Sequence, residues 1–157
     1  MKAILALALF LLCAWAGSRK RARLQARLEA LGGLATDMRK LRDILELTPM
    51  PIAEAAGRLG SDVWKRFIEE MQSGGAADAW KRALDEAQEY EEDRDVLEGF
   101  SEILRATQMR AQQGALALFL RELDERRNAV SSELEKKGKV YSSLGVLLGL
   151  SLALLVI

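Results

Sequence analysis

Histidine is absent from the 157-residue sequence, and cysteine occurs once, at Cys13. Structural and catalytic zinc sites are built mainly from histidine and cysteine, and Ser/His or Cys/His nucleophilic sites need an imidazole base, so both kinds of site lack their parts. A single thiol also excludes a disulfide framework within the chain. The sequence therefore predicts a protein that is not an enzyme and that uses no cofactor and no metal.

Net charge is missing as well, because 23 Lys and Arg balance 23 Asp and Glu. A general nucleic-acid-binding protein carries a basic excess, so nucleic acid is not an expected partner. No segment alternates at period two with β-branched residues, which makes a β-sheet unexpected. The hydrophobic half of the composition must therefore be arranged on helices.

Charged residues are absent from two apolar runs, residues 3–17 and 140–157. As a helix, the second run spans about 27 Å, close to the roughly 30 Å hydrocarbon core of a bilayer. We predict a transmembrane anchor over residues 1–17, a cytoplasmic helical domain over residues 18–139 and a C-terminal transmembrane helix over residues 140–157. A cleaved secretory signal is the alternative for the first run, since Ala14-Trp15-Ala16 imitates a cleavage site.

Basic residues lie on the inner flank of each apolar run. They are Arg19, Lys20, Arg21 and Arg23 after the first run, and Lys136, Lys137 and Lys139 before the second. Such flanks stay in the cytoplasm, so the prediction is a two-span membrane protein with both termini outside. The same residues are expected to contact anionic headgroups at the membrane surface.

Two heptad patterns predict long helices on either side of the central domain. The first runs over residues 19–47 and the second begins near residue 109 and continues into the C-terminal apolar run; their heptad residues are Leu24, Leu31, Met38 and Leu45, and Met109, Leu116, Leu123 and Val130. One helix leaves the membrane and the other returns to it, so we expect them to pair antiparallel.

Shorter helices are predicted between these two. Thr48 as N-cap and Pro49 as first helical residue indicate a helix that ends before Gly60. Three more helices are expected around Trp64, Trp80 and Phe100, whose helical spacing among apolar neighbours favours core positions. The predicted fold class is all-α, a cytoplasmic bundle of about six helices with a transmembrane helix at each end.

An acidic stretch runs from Asp85 to Glu98, with Arg94 as its single basic residue. It lacks the spacing of a calcium loop, so a metal site is the weakest of three interpretations. The others are a solvated segment whose acids favour a helix N-terminus, and a docking patch for a basic partner. The candidate docking residues, expected in an exposed loop far from the bilayer, are Glu89, Glu91, Glu92, Asp93 and Asp95.

The whole pattern resembles the stage III sporulation protein AB family of endospore-forming bacteria. The segment Thr48-Pro49-Met50-Pro51-Ile52-Ala53-Glu54-Ala55 is similar to that family's T-P-L-x-E-A stretch. Ala79-Trp80 with Ala83-Leu84 is similar to its A-W-x-x-A-L segment, and residues 139–150 resemble its C-terminal ending.

This resemblance implies a scaffold in the mother-cell membrane around the forespore, part of a channel-like complex between the two cells. The family is similar in turn to the platform protein of type II secretion and type IV pilus systems, which implies a secretion-type ATPase and other membrane subunits as partners. A general secretion or pilus platform is one alternative, although those proteins typically repeat the helical domain. A membrane-anchored helical sensor or adaptor, or a small membrane-bound enzyme, is the other.

Overall fold

The computed structural model describes the backbone of residues 2–106 and 108–156. Within the helices, some side chains lie outside this description, namely those of residues 2–14, 16, 17, 109, 139, 141, 142, 144–146, 148–150 and 152–156. Seven α-helices account for most of the described chain: α1 (Lys2–Leu47), α2 (Ile52–Ala56), α3 (Asp62–Met71), α4 (Ala76–Glu86), α5 (Arg94–Glu98), α6 (Phe100–Arg105) and α7 (Met109–Val156). A 3₁₀ helix, Gln88–Asp93, lies between α4 and α5.

Contacts within the chain define two units. The first, here called the terminal unit, comprises Met1–Leu28 and Asn128–Ile157, and the second, the central unit, comprises Glu29–Arg127. Nearly all of the buried hydrophobic side chains that the structure describes belong to the central unit. The candidate docking residues lie there as well.

The two long helices pair antiparallel within the central unit, as the heptads predict. Arg39 of α1 donates to both carboxylate oxygens of Asp124 of α7, at 2.5 and 2.7 Å. Six residues further along α1, the carbonyl of Leu45 accepts from the Gln113 side chain at 3.3 Å. The residue number rises along α1 and falls along α7 from one contact to the next, as it does in an antiparallel pair. The apolar residues that face inward on the two helices are fully buried: Leu31, Leu34, Met38 and Leu41 on α1, three or four positions apart, and Leu116 and Leu123 on α7, seven positions apart.

Five aromatic rings form the centre of the short-helix region. Trp64 and Phe67 of α3 lie against Trp80 of α4, with centroid separations of 5.0 Å for the tryptophan pair and 5.9 Å for Phe67 and Trp80. Phe100 of α6 contacts Trp80 at 4.9 Å, and Phe119 of α7 contacts Phe100 at 5.6 Å. The indole N–H of Trp80 donates to the Leu97 carbonyl at 2.8 Å, which gives this buried polar group a partner. The prediction that these residues form the core is confirmed.

Helix α2 begins later than the sequence predicts. It starts at Ile52 with Pro51 as N-cap, so the assignment of Thr48 as N-cap and Pro49 as first helical residue is wrong. The reason is the second proline, since a residue that precedes proline is disfavoured in the α region and Met50 precedes Pro51. The backbone N–H of Thr48 instead closes the last turn of α1 by donating to Ile44 at 2.9 Å.

The helix predicted around Phe100 is two helices, α5 and α6, so the central unit has one more α-helix than expected. They are separated at Gly99, whose N–H donates to the Val96 carbonyl at 3.1 Å. A Cβ at Gly99 would lie 3.1 Å from that carbonyl oxygen and 3.9 Å from the Phe119 ring. The contact with the Val96 carbonyl would be tight and the contact with Phe119 ordinary, so glycine at this position favours the turn between α5 and α6.

No helix in the described part of the chain reaches both the length and the apolar character that a membrane crossing requires. The two segments predicted to cross, residues 1–17 and 140–157, fall mostly on residues whose side chains lie outside the description. The division of the chain at residues 17 and 140 also stays a prediction.

Leu97 and Leu118 are a matched pair for testing the core, because Leu97 is fully buried and Leu118 is 70 % exposed. Leu97→Ala leaves a cavity and should lower the free energy of unfolding by about 2–5 kcal/mol. Leu118→Ala should change it by less than about 0.5 kcal/mol. Chemical denaturation of the full chain in detergent, followed by tryptophan fluorescence, measures both; equal effects would contradict this core assignment.

Candidate docking surface

The acidic stretch folds as three consecutive helical segments rather than as a loop. It begins in the last turn of α4, passes through the 3₁₀ helix and ends with α5. Glu89, Glu91 and Glu92 of the 3₁₀ helix and Asp95 of α5 are exposed. These four residues are called the acidic surface below. The expectation of an irregular solvated segment is wrong, whereas the exposure of these four side chains is as predicted.

Asp93, the fifth candidate docking residue, is fully buried. Its carboxylate accepts from Nε of Arg126 on α7 at 2.6 Å. The same guanidinium donates to the Glu92 carbonyl at 3.1 Å and lies 3.7 Å from the Asp95 carboxylate. The prediction that Asp93 is part of an exposed surface is therefore wrong. A buried carboxylate must be paired, and the contact of Asp93 with Arg126 fixes the acidic stretch to α7.

Arg94 takes no part in this contact, although it follows Asp93 directly. Its guanidinium forms a salt bridge with Asp85 at the end of α4 and a 2.6 Å hydrogen bond with Glu98 one turn later. The hydrogen bond that Arg94 donates to Glu98, and then the charge of Asp85, raise the pKa of Arg94. Two of the acids in the stretch are thus paired locally, away from the acidic surface.

Tyr90 anchors the other side of the 3₁₀ helix. Its ring is buried, and its hydroxyl donates to the Ala30 carbonyl of α1 at 3.3 Å. Burial, and then the negative charges of Glu89 and Asp37, raise the pKa of Tyr90 to about 12. The phenol therefore stays protonated and keeps this hydrogen bond throughout the physiological pH range. With Asp93 on one side and Tyr90 on the other, the backbone under the acidic surface is fixed at two points.

The four exposed carboxylates of the acidic surface lie beside at least two cations. Glu89 has Arg66 at 3.8 Å, and Asp95 shares Arg126 with the buried Asp93. Exposed charges on a fixed backbone can attract a basic partner at long range and lose strength as salt screens them. Among the described residues, no three His, Cys, Asp or Glu side chains are grouped so that they could hold a metal ion.

The predicted membrane-surface residues belong to the terminal unit. Arg19, Lys20, Arg21 and Arg23 are exposed on α1, and Lys136 and Lys137 are exposed on α7, while the Lys139 side chain lies outside the described set. Lys137 donates to Glu133, and this hydrogen bond together with the charges of Lys137 and Arg27 lowers the pKa of Glu133. Glu133, one of the two acidic residues of the terminal unit, is thus paired with basic residues of the same unit.

Sequence reasoning missed two further features of the central unit. Arg126 has no local signal, because its partner Asp93 is 33 residues away. Ser61 is the N-cap residue of α3, but its hydroxyl and N–H both donate to buried Asp37 of α1 instead of closing the helix end. Both contacts join polar groups on separate helices, so spacing along one helix does not reveal them.

Arg126 and Arg121 provide a matched test of the buried pair, since both lie on α7 and Arg121 is 78 % exposed beside Glu125. Arg126→Met should lower the free energy of unfolding by about 3 kcal/mol, because it leaves the Asp93 carboxylate buried without this cation. Arg121→Met should cost less than about 0.5 kcal/mol. Denaturation of the two variants side by side measures the difference, and a loss shared equally by both would show that the Asp93 contact does not hold the segment.

Comparisons with known proteins place the chain in a family. The family model described as stage III sporulation protein AB (spore_III_AB) matches residues 2–157. Among solved structures, one titled stage III sporulation protein AB (SpoIIIAB) is similar with a TM-score of 0.61 at 17 % identity, over 70 % of this chain and 97 % of that chain, which shows a shared fold. No curated protein sequence matches the chain. Because the family match covers almost every residue, the chain belongs to the stage III sporulation protein AB family, a family of sporulation proteins.

Proposed function

We propose that the protein is a non-enzymatic membrane platform in stage III of sporulation, which couples a secretion-type ATPase to a channel-like complex between mother cell and forespore. Membership of the stage III sporulation protein AB family supports the sporulation role. The acidic surface supports the docking role, because it offers a partner fixed charges at a defined position. The other membrane subunits of the complex are the remaining proposed partners.

The observation that carries this proposal is the fixed backbone under the acidic surface. A flexible acidic tail would attract many basic proteins, but ordering it on binding would cost conformational entropy. Here the buried contacts of Tyr90 and Asp93 have already ordered the segment. A partner therefore meets Glu91, Glu92 and Asp95 in a preformed arrangement, which favours specific docking.

The membrane placement is part of the same proposal. The apolar runs over residues 3–17 and 140–157 would be the two spans, with the termini outside the cytoplasm. The basic flanks would hold residues 18–139 in the cytoplasm, where an ATPase has its nucleotide. The membrane would be that of the mother cell around the forespore, as the family resemblance implies.

Charge reversal on the acidic surface tests the docking role. Glu91, Glu92 and Asp95 replaced together by Lys should weaken recruitment of the ATPase at least about tenfold at low salt, since close charge pairs across an interface contribute on the order of 1.5 kcal/mol or more. Pull-down of the purified ATPase by the full chain in detergent measures recruitment. Asp93 is left unchanged, because its reversal would disrupt the fold rather than the surface.

The matched control reverses three exposed acids elsewhere in the central unit, Asp43, Glu46 and Glu54. It changes the net charge by the same amount and should leave recruitment within about twofold, because distant exposed charges are screened. An equal loss in both triple variants would mean that only the overall charge matters. Wild-type recruitment by the first variant at low salt would remove the acidic surface from the docking site.

Cysteine labelling tests the orientation. In a Cys13→Ala background, Glu54→Cys and Ser73→Cys each place a thiol on an exposed position of the central unit. Both should be shielded from an impermeant thiol reagent in intact cells and labelled after permeabilisation, because the basic flanks hold this unit inside. Labelling of both in intact cells would overturn the orientation.

A further inference from the structure

The zero net charge of the chain conceals two units of opposite charge. The terminal unit contains nine basic residues (Lys and Arg) and two acidic residues (Asp and Glu). The central unit contains fourteen basic residues and twenty-one acidic residues. Each unit therefore has seven uncompensated charges, positive in the first and negative in the second. The terminal unit attracts polyanions, although the chain as a whole does not.

The positive charge is concentrated on a short exposed stretch of α1. Every residue from Ser18 to Arg23 is exposed, and four of these six are basic. The first acidic residue of the chain is Glu29, more than one helical turn beyond Arg23. Arg19 and Arg21 therefore have no acid at the i+4 position of α1.

Trp15 and Arg19 form a composite group at the start of this stretch. The guanidinium carbon of Arg19 lies 4.1 Å from the centroid of the Trp15 ring, and the ring is 55 % exposed. When a guanidinium stacks on an indole, its flat face contacts the ring. The N–H groups at the edge of the guanidinium can then still donate to oxygen acceptors. The stacked ring also restricts the guanidinium, so less side-chain freedom is lost when an anion binds.

The position of this pair distinguishes a lipid from other anions. Residues 3–14 are uncharged, so Trp15 and Arg19 stand where an apolar run changes into a basic one. Tryptophan prefers that boundary in a bilayer because its ring is apolar and its N–H is polar. Guanidinium groups recognise phosphate oxygens in a bidentate manner.

We propose that Trp15 and Arg19, with Lys20, Arg21 and Arg23, bind the phosphate of anionic phospholipid headgroups and enrich those lipids around α1. The inference rests on the membrane placement under the proposed function and adds the Trp15–Arg19 pair as a phosphate-binding group that enriches anionic lipids. A basic flank that serves only as a topology signal needs no lipid preference. The two ideas are therefore separable by experiment.

Quenching of tryptophan fluorescence by brominated lipids tests the proposal. The full chain is reconstituted into bilayers of phosphatidylcholine and phosphatidylglycerol, of which one or the other carries bromine on its acyl chains. Trp15 is exposed while Trp64 and Trp80 are fully buried, so only Trp15 should be quenched by contact with lipid. Trp15→Phe should remove the quenching.

The ratio of quenching by the two lipids gives the lipid preference. The wild type should prefer phosphatidylglycerol by about fivefold or more at low salt, the effect expected for one basic side chain at an anionic surface, and less at high salt. Arg19→Gln should lower the preference about fivefold, and Arg19→Lys should lower it by a smaller amount, because the charge is kept while the stacked, bidentate guanidinium is lost. The matched control Arg58→Gln removes an exposed cation of the central unit and should leave the preference unchanged.

Other outcomes contradict the proposal in distinct ways. Equal quenching by both lipids in the wild type, or an equal effect of Arg19→Gln and Arg58→Gln, overturns the lipid preference and leaves the membrane placement intact. Loss of the preference on addition of soluble glycerol phosphate also overturns the proposal, since the site would then bind free phosphate rather than a lipid headgroup. Absence of quenching by either brominated lipid overturns the membrane placement and this inference together.

Discussion

The buried contact between Asp93 and Arg126 is the interaction on which the candidate docking surface depends. Asp93 has no exposed surface, so its charge needs buried partners, and the guanidinium of Arg126 on α7 lies 2.6 Å away. The same guanidinium binds the carbonyl of Glu92, and it thereby fixes the backbone as well as the carboxylate. Inward placement of Asp93 leaves its neighbours Glu91, Glu92 and Asp95 on the outside.

The aromatic core brings α7 to the position from which Arg126 reaches this contact. Phe119 lies against Phe100, with the ring centroids 5.6 Å apart. Arg126 is seven residues beyond Phe119, two turns along the same helix. Packing of the rings and pairing of the charges are therefore two contacts of α7 with the same group of short helices.

The long helices and the aromatic core were predictable because each is encoded by spacing within one segment. Leu31 and Met38, or Leu116 and Leu123, need only their own helix to define an apolar face. The start of α2, the separation of α5 from α6 and the burial of Asp93 were not predictable in this way. The first depends on a second proline, the second on the close approach of Gly99 to the Val96 carbonyl, and the third on an arginine 33 residues away. Of the five candidate docking residues, four are exposed as predicted, and Asp93 lies on the buried side of the backbone.

Site-specific photo-crosslinking from Glu91 in sporulating cells tests the central claim most directly, because this side chain is exposed on the acidic surface and lies two residues from the buried Asp93. A crosslinking amino acid at position 91 should capture the secretion-type ATPase, identified by mass spectrometry, and the same amino acid at the exposed position of Glu54 should not. Capture of the ATPase from position 54 and not from position 91 would contradict the assignment of the acidic surface as the docking site.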